Sequence, residues 1–363
     1  MESLVMDKAF WKHKKVLVTG HTGFKGSWLC LWLQHLGACV TGLALEPSDT
    51  PALFEVADVA QGMDSIIGDI CNPETVKKVF QQYRPDIVFH LAAQPLVRYA
   101  YQHPVETYET NVMGSLHVLE AVRATDSVQA VVMITTDKCY ENREWYWPYR
   151  ENEALGGYDP YSSSKACAEL LIASYRQSFF STQTDSEYPV AIASARAGNV
   201  IGGGDRAADR LIPDIIHALQ HKQTLLIRNP DAVRPWQHVL EALAGYLQLA
   251  EKLYQEGANY AEAWNFGPYE QDAKSVAWIV KRMTETWGDK LDWQVESDEQ
   301  PHEACSLKLD CSKAHEKLQW QPKWNLQQAL EKITQWHRAE LNGDDLRQCC
   351  LQQIKTYMNT PNQ

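Results

Sequence analysis

The chain has 363 residues, a formal net charge of −12 and 45% hydrophobic residues. That is room for two modest domains, and too acidic a balance for a nucleic-acid partner, which needs a basic face. No apolar run is long enough to span a bilayer, residues 1–15 lack a signal-peptide core, and the nine scattered cysteines show no metal-ligand spacing; the expectation is a cytoplasmic protein with reduced thiols and no metal site.

Residues 14–19 form a short β-branched run, the pattern of a buried parallel strand. It ends at Gly20-His21-Thr22-Gly23-Phe24-Lys25-Gly26, and Leu29, Leu33 and Leu36 mark a helix beyond. Strand, glycine turn and helix make a dinucleotide-binding start: glycines let backbone approach a pyrophosphate, and the helix N-terminus supplies amides and dipole. Gly20, Thr22, Gly23, Phe24, Lys25 and Gly26 are therefore cofactor candidates, although a plain tight turn can carry the same Gly-x-x-Gly-x-x-Gly spacing. A second strand is predicted over 39–45. Glu46 is the acid nearest the expected ribose position, with a solvated loop charge as the alternative, and no Arg or Lys falls within 40–48. NAD is thus favoured over NADP.

The third strand is predicted at 66–70, ending in Asp69, which either accepts from an adenine amino group or caps a helix over 73–83. A fourth strand at 86–91 runs into Ala92-Ala93-Gln94, small residues suited to close passage of the cofactor. One long amphipathic helix is predicted over 104–124, with Asn111 inside it. The fifth strand, 129–135, ends in Thr135-Thr136-Asp137-Lys138, where open parallel sheets gather their functional groups. Neighbouring strand residues point to opposite faces, so Asp137 and Lys138 meet one substrate only if the chain bends there; an exposed ion pair is the alternative.

A loop over 139–159 leads to a helix over 161–180 that opens with Tyr161-Ser162-Ser163-Ser164-Lys165. Positions i and i+4 share a helix face, and a neighbouring ammonium lowers a phenol's pKa towards that of a working base. After a polar loop at 181–189 and a sixth strand at 190–195, the βα alternation fails. A helix is expected over 206–220 and a strand over 225–228. Arg228 and Arg234 beside Trp236 and His238 suit a diphosphate and a base, with a solvated basic turn as the alternative. An amphipathic helix follows around 326–336, with a small helix in the tail. The fold class is α/β: a Rossmann-type doubly wound parallel sheet with a smaller C-terminal α/β substrate-binding lobe. The sheet domain is expected over 1–195 plus about 236–265, the lobe over 196–235 plus about 266–345, and a tail over 346–363.

Taken in order, Thr19-Gly20-x-x-Gly23-x-x-Gly26, Gly68-Asp69-Ile70, His90-Leu91-Ala92-Ala93, Thr136-Asp137 and Tyr161-x-x-x-Lys165 resemble the extended short-chain dehydrogenases/reductases, over residues 10–340. Within that superfamily the chain resembles the nucleotide-sugar 4,6-dehydratases. Thr135-Thr136-Asp137-Lys138-Cys139-Tyr140 and Ala93-Gln94-Pro95-Leu96-Val97-Arg98 resemble the branch acting on CDP-glucose; the dTDP-glucose and GDP-mannose branches carry Glu where this chain has Lys138.

The resemblance implies a mechanism. Tyr161, aided by Lys165 and Thr136, removes the C4 hydroxyl proton while NAD⁺ takes the C4 hydride. The 4-ketone acidifies C5–H, water leaves across C5 and C6 with Asp137 protonating the leaving oxygen, and the hydride returns to C6. Lys138 stands where relatives keep the C5 base. An ammonium accepts no proton, so it needs a depressed pKa or serves only to stabilise the enolate. By the same resemblance Asp69, Ile70, Leu91, Ala92, Ala93 and Asn111 join the cofactor site, and Arg98, Asn199, Arg234 and Asn265 the nucleotide-sugar site. The long helices at 104–124 and 161–180 would pair copies into a homodimer or homotetramer, and the product would feed deoxysugars such as those of lipopolysaccharide O-antigen. Ala44 replaces an Asp usual in relatives, and His302-Glu303-Ala304 replaces the Asp-Arg of dTDP-sugar enzymes. A nucleotide-sugar 4-epimerase shares the fold, NAD and the Tyr–Lys pair but needs no acid–base pair at C5 and C6. A silent NAD-sensing regulator needs neither.

Overall fold

The computed structural model describes residues 7–47, 51–180, 190–296 and 307–361; the predicted loop at 181–189 and the segment 302–304 lie outside them. Seven parallel strands form the central sheet: β1 Lys15–Thr19, β2 Cys39–Ala44, β3 Asp64–Ile67, β4 Ile87–His90, β5 Ala130–Ile134, β6 Ala191–Arg196 and β7 Ala263–Asn265, in the order β7-β6-β5-β4-β1-β2-β3. The apolar runs of β4 and β5 are buried throughout, as strands covered on both faces must be. Helix α1 Phe24–Leu36 packs on one face. On the other lie α2 Pro73–Tyr83, α3 Ser115–Arg123 and α4 Pro160–Ser178. The strand order reverses between β1 and β4, which places a crevice at the C-terminal strand ends.

Beyond β6 the chain builds the lobe. Its helices are α5 Leu211–His221, α7 Val276–Trp287 and α8 Leu326–Leu341, closed around Ile215, Met283, Leu330 and Ile333. Three two-stranded ladders join them, one pairing Val233–Pro235 antiparallel with Ala273–Ser275. Between these lobe elements, α6 Val239–Glu256 returns to the sheet and feeds β7. The last helix, α9 Leu346–Asn359, buries Cys350, Ile354 and Tyr357 in the same core as α1, and the Tyr357 hydroxyl donates to Glu241 of α6 at 2.6 Å. The tail is therefore a packed part of the sheet's outer layer rather than an appendage.

Three elements depart from expectation. The third strand ends at Ile67, so Asp69 sits in the loop after it. The single helix over 104–124 is interrupted: Pro104–Tyr108 is α-helical, Glu109–Gly114 forms a π turn, and α3 follows. The π turn brings Gly114 against Ile70, where a Cβ would lie 2.5 Å from the Ile70 side chain, and such bulges recur where a helix is re-aimed for function. The helix expected from 206 starts only at Leu211, because Arg210 is extended and stands as its N-cap.

Candidate active site

A cleft of about 1040 Å³ opens at the switch point, between the sheet and the lobe. Its floor is the glycine turn. Gly20 takes φ +75°, and a Cβ there would lie 2.7 Å from the Ala92 amide nitrogen; at Gly26 a Cβ would lie 2.1 Å from the Gly20 carbonyl oxygen. Only glycine permits both approaches. Thr22 pins the turn to the end of β2 by donating to Leu45 O at 2.9 Å. No side chain caps α1, whose N-cap is Gly23, and no acid occupies its first turn. Its leading amides are thus left to an anionic ligand, which is what a dinucleotide pyrophosphate requires. Phe24, Ile70, Leu91, Ala92 and Ala93 line the cleft around this turn, and Glu46 stands exposed at its rim.

The helix-cap alternative for Asp69 is excluded, because Asn72 caps α2 by accepting from the amides of Glu74 and Thr75. Asp69 instead faces the cleft, with one oxygen accepting from Cys71 N at 2.8 Å. Lys25, half-buried, is held down to about 8 by burial, aided by the charges of Arg210 and Lys165 and opposed by Asp137 and Asp205.

The catalytic candidates gather on the opposite wall. Asp159 caps α4, accepting from Ser162 N at 2.9 Å, and Pro160 opens the helix. Tyr161 follows at once, buried at the cleft wall. After β5 the chain turns into a single 3-10 turn, Asp137–Cys139, capped by the Thr136 hydroxyl. That is the bend the sequence demanded: Thr136, Asp137 and Lys138 all line the same cleft as Tyr161.

The electrostatics correct one expectation. Burial pushes Tyr161 up to about 12; the hydroxyl of Thr136, hydrogen-bonded to it, works downward, and Asp137 upward. Lys165 does not supply the expected depression. It is buried too, its ammonium turns to the Ile134 carbonyl at 3.4 Å, and desolvation lowers it to about 8, against Glu169. For both side chains the loss of water is the largest effect.

Two predicted ligands are displaced from the cleft. Asn111, in the π turn, spends its side chain internally: it accepts from Gln94 N at 2.9 Å and donates to Gln94 O at 3.1 Å and Ser164 Oγ at 2.9 Å. It fastens the loop after β4 to α4 and so positions Tyr161. Asn265, at the end of β7, accepts from the Tyr140 hydroxyl at 2.7 Å and donates to the carbonyls of Tyr149 and Asp310. Both amides are fully buried and saturated. The other nucleotide-sugar candidates do line the cleft. Arg98 pairs with Asp209 at 3.0 Å and Glu296 at 3.7 Å, Arg234 is buried against Val233 O, and Asn199 takes φ +41°. Arg210, which joins them, is held by both oxygens of Asp205.

One group escaped the sequence reading. Glu169 lies four and eight residues beyond Lys165 and Tyr161, on the same face of α4, and that spacing was its available signal. It is buried and bridges Thr135, Ser194 and Arg196, the last through two bonds of 2.9 and 2.8 Å. Arg196 extends the network to Tyr140 and, through it, to Asn265.

Residues 17–333 match the family described as GDP-mannose 4,6 dehydratase. The chain belongs to that family. It is 53% identical over 355 residues to the CDP-glucose 4,6-dehydratase of Salmonella typhimurium, covering 98% of this chain and 99% of that one. Among solved structures it resembles the dTDP-glucose 4,6-dehydratase of Streptomyces venezuelae with NAD and TYD bound, at TM-score 0.76 and 21% identity over 91% of this chain and 99% of that one. It equally resembles the UDP-glucose 4-epimerase of Thermotoga maritima with UDP-glucose, at TM-score 0.76 and 24% identity over 90% and 99%. The fold is therefore common to dehydratases and epimerases.

Proposed function

We propose that the chain dehydrates CDP-D-glucose to CDP-4-keto-6-deoxy-D-glucose, an NAD-dependent hydro-lyase reaction. The observation that carries this reading is the 3-10 turn after β5, which presents Asp137 and Lys138 to the cleft that Tyr161 lines. An epimerase has no use for that pair. Near-full-length identity to the Salmonella dehydratase supports the nucleotide, CDP, and the reaction.

When bound, NAD⁺ supplies a hydride acceptor at C4, a hydride donor at C6 and a positive charge. The rest falls to side chains. Tyr161 Oη takes the O4 proton as the phenolate, the form that the positive charge of bound NAD⁺ would favour against burial, with the Thr136 hydroxyl holding it in place. Lys165, lowered to about 8, is near enough to neutrality at physiological pH to exchange protons. Asp137 protonates O6 as it leaves, and Lys138 acts at C5 or on the enolate formed there. Arg98, Arg210, Arg234 and Asn199 hold the diphosphate. The exposed Val105, Met113 and Leu170 on the Pro104–Gly114 segment and α4 support pairing of copies into a homodimer or homotetramer. Among the described residues no helix is long and apolar enough to cross a membrane, in keeping with a cytoplasmic sugar-modifying enzyme whose product feeds deoxysugar synthesis. Incubating the protein with the CDP, dTDP, UDP and GDP derivatives of glucose tests the reading. Alkali-induced ketosugar absorbance is expected from CDP-glucose; a preference for another nucleotide, or a C4-epimeric product, contradicts it.

A further inference from the structure

Atoms that the mechanism leaves unexplained lie behind the catalytic turn. Asp137 Oδ1 accepts from the Thr136 hydroxyl at 3.0 Å, but Oδ2 is sealed from solvent with no hydrogen-bond partner among the described residues. It rests on Gly198, where a Cβ would lie 1.8 Å from it. Gln237 touches the same glycine, donating its amide to the carbonyls of Gly198 at 3.4 Å and Phe266 at 2.8 Å, which leaves its Oε1 buried and unpaired. Tyr246 of α6 meets the Phe266 ring edge-on at 5.7 Å, is 0% exposed, and its hydroxyl is likewise unpaired; the groups whose charge reaches that phenol are Asp137 and Tyr161.

Three buried oxygens without a partner among the described residues, on side chains that touch Gly198 or Phe266, ask for an explanation, since leaving one such group unmade costs about 1–3 kcal/mol. Enclosed waters in proteins make about three hydrogen bonds to groups of this kind. We propose that one enclosed water joins Tyr246 Oη, Gln237 Oε1 and Asp137 Oδ2, and that Tyr246 and Gln237 are positioning residues for Asp137. The donor count closes: the phenol donates to the water, and the water's two hydrogens go to the amide oxygen and the carboxylate. The link fixes the carboxyl plane, leaving Oδ1 to Thr136 and the cleft. The titratable groups facing Asp137 are Lys25 from α1, Tyr161 from α4, Cys139 in its own turn and Tyr246 from α6, with Lys138 adjacent. The inference rests on the reading of Asp137 as the acid for water loss.

Tyr246→Phe tests it, with Asp137→Asn alongside. Without the link the Asp137 carboxyl plane is no longer held. In a single turnover, ketosugar formation slows about three- to tenfold, the weight of one hydrogen bond, while C4 oxidation keeps its rate. Equal slowing of both steps, or no slowing of ketosugar formation, overturns the proposal. If Asp137→Asn leaves water loss at the wild-type rate, the acid role itself fails. If Asp137→Asn slows it and Tyr246→Phe does not, the water link alone fails. Should Tyr246→Phe not fold, a crystal structure of the unaltered protein decides: a solvent peak bonded to the three oxygens supports the link, and its absence from well-ordered density overturns it.

Discussion

Two buried polar clusters flank the end of β5, and they are built to opposite rules. In the first, each oxygen of Glu169 receives two donors, from Thr135 and Arg196 on one side and from Ser194 and Arg196 on the other. Burial pushes that carboxyl up, but Arg196 and the hydroxyls outweigh it and hold it below the usual range. In the second, Asp137 is equally buried yet keeps one oxygen without a donor among the described residues, beside a phenol pushed up to about 12 and two lysines lowered to about 8. A saturated network has one arrangement and serves as scaffold; an incompletely paired one can change its protonation. The difference separates residues that hold the site from residues that act in it, although all are charged, buried and close together.

The contrast breaks most sharply at Tyr161. Tyr161→Phe should lower kcat by about 10²–10⁴-fold, the usual span for a lost acid–base group, with NAD binding and melting temperature unchanged; near-normal turnover would return the tyrosine to the scaffold. Glu169→Ala should do the reverse, leaving Arg196 buried and unpaired at a cost of about 3–5 kcal/mol in denaturant titration. A loss of activity with full stability would mean that Glu169 acts in the chemistry. Asp137→Asn should spare stability, because the amide keeps the shape of the carboxyl and the position of Oδ2 has no protein partner among the described residues to lose. It should slow water loss by about 10²-fold or more while C4 oxidation proceeds, and equal slowing of both steps would count against the acid role. Arg98→Ala should raise KM about tenfold through a lost charge-assisted bond and leave kcat in place. Lys138→Glu asks which part Lys138 plays: a displaced pH–rate profile marks a titrating base, an unmoved one a fixed charge.

The smallest effect is a pH dependence. Lys165 falls from its ordinary value of 10.5 to about 8 on folding. Between those values the unfolded chain binds the proton and the folded chain does not, so this group's contribution to stability rises with pH across that window. Chemical denaturation of the wild type and of Lys165→Met should therefore diverge in the wild type's favour from pH 8 to 10; a constant difference would mean that the ammonium is not desolvated.

How much of this was legible in the chain follows from what each feature depends on. Local patterns carried β1 to β6, the glycine turn, and the Tyr and Lys four apart; β7, only three residues long, was not read as a strand. The glycine turn, Thr136, Asp137, Lys138 and Tyr161 all line one cleft for that reason. Asn111 and Asn265 are polar residues in suggestive places, yet their amides satisfy buried carbonyls and hydroxyls from segments distant in sequence, a demand no local pattern reveals. The π turn escaped because the period of an interrupted helix differs little from that of a continuous one over six residues. The sign of the Tyr161 shift escaped because i,i+4 spacing speaks of proximity and is silent on desolvation, which here is the larger effect. Glu169 went unread because Ser194 and Arg196 come from a strand and join it only in the fold.

The path of one hydrogen separates dehydration from every other reaction of this cleft. CDP-glucose carrying deuterium at C4 should yield a 4-keto-6-deoxy product with that deuterium in its C6 methyl group, read by mass spectrometry or NMR. Deuterium kept at C4 of a hexose epimer, or washed into solvent while the C6 oxygen stays on the sugar, would contradict it.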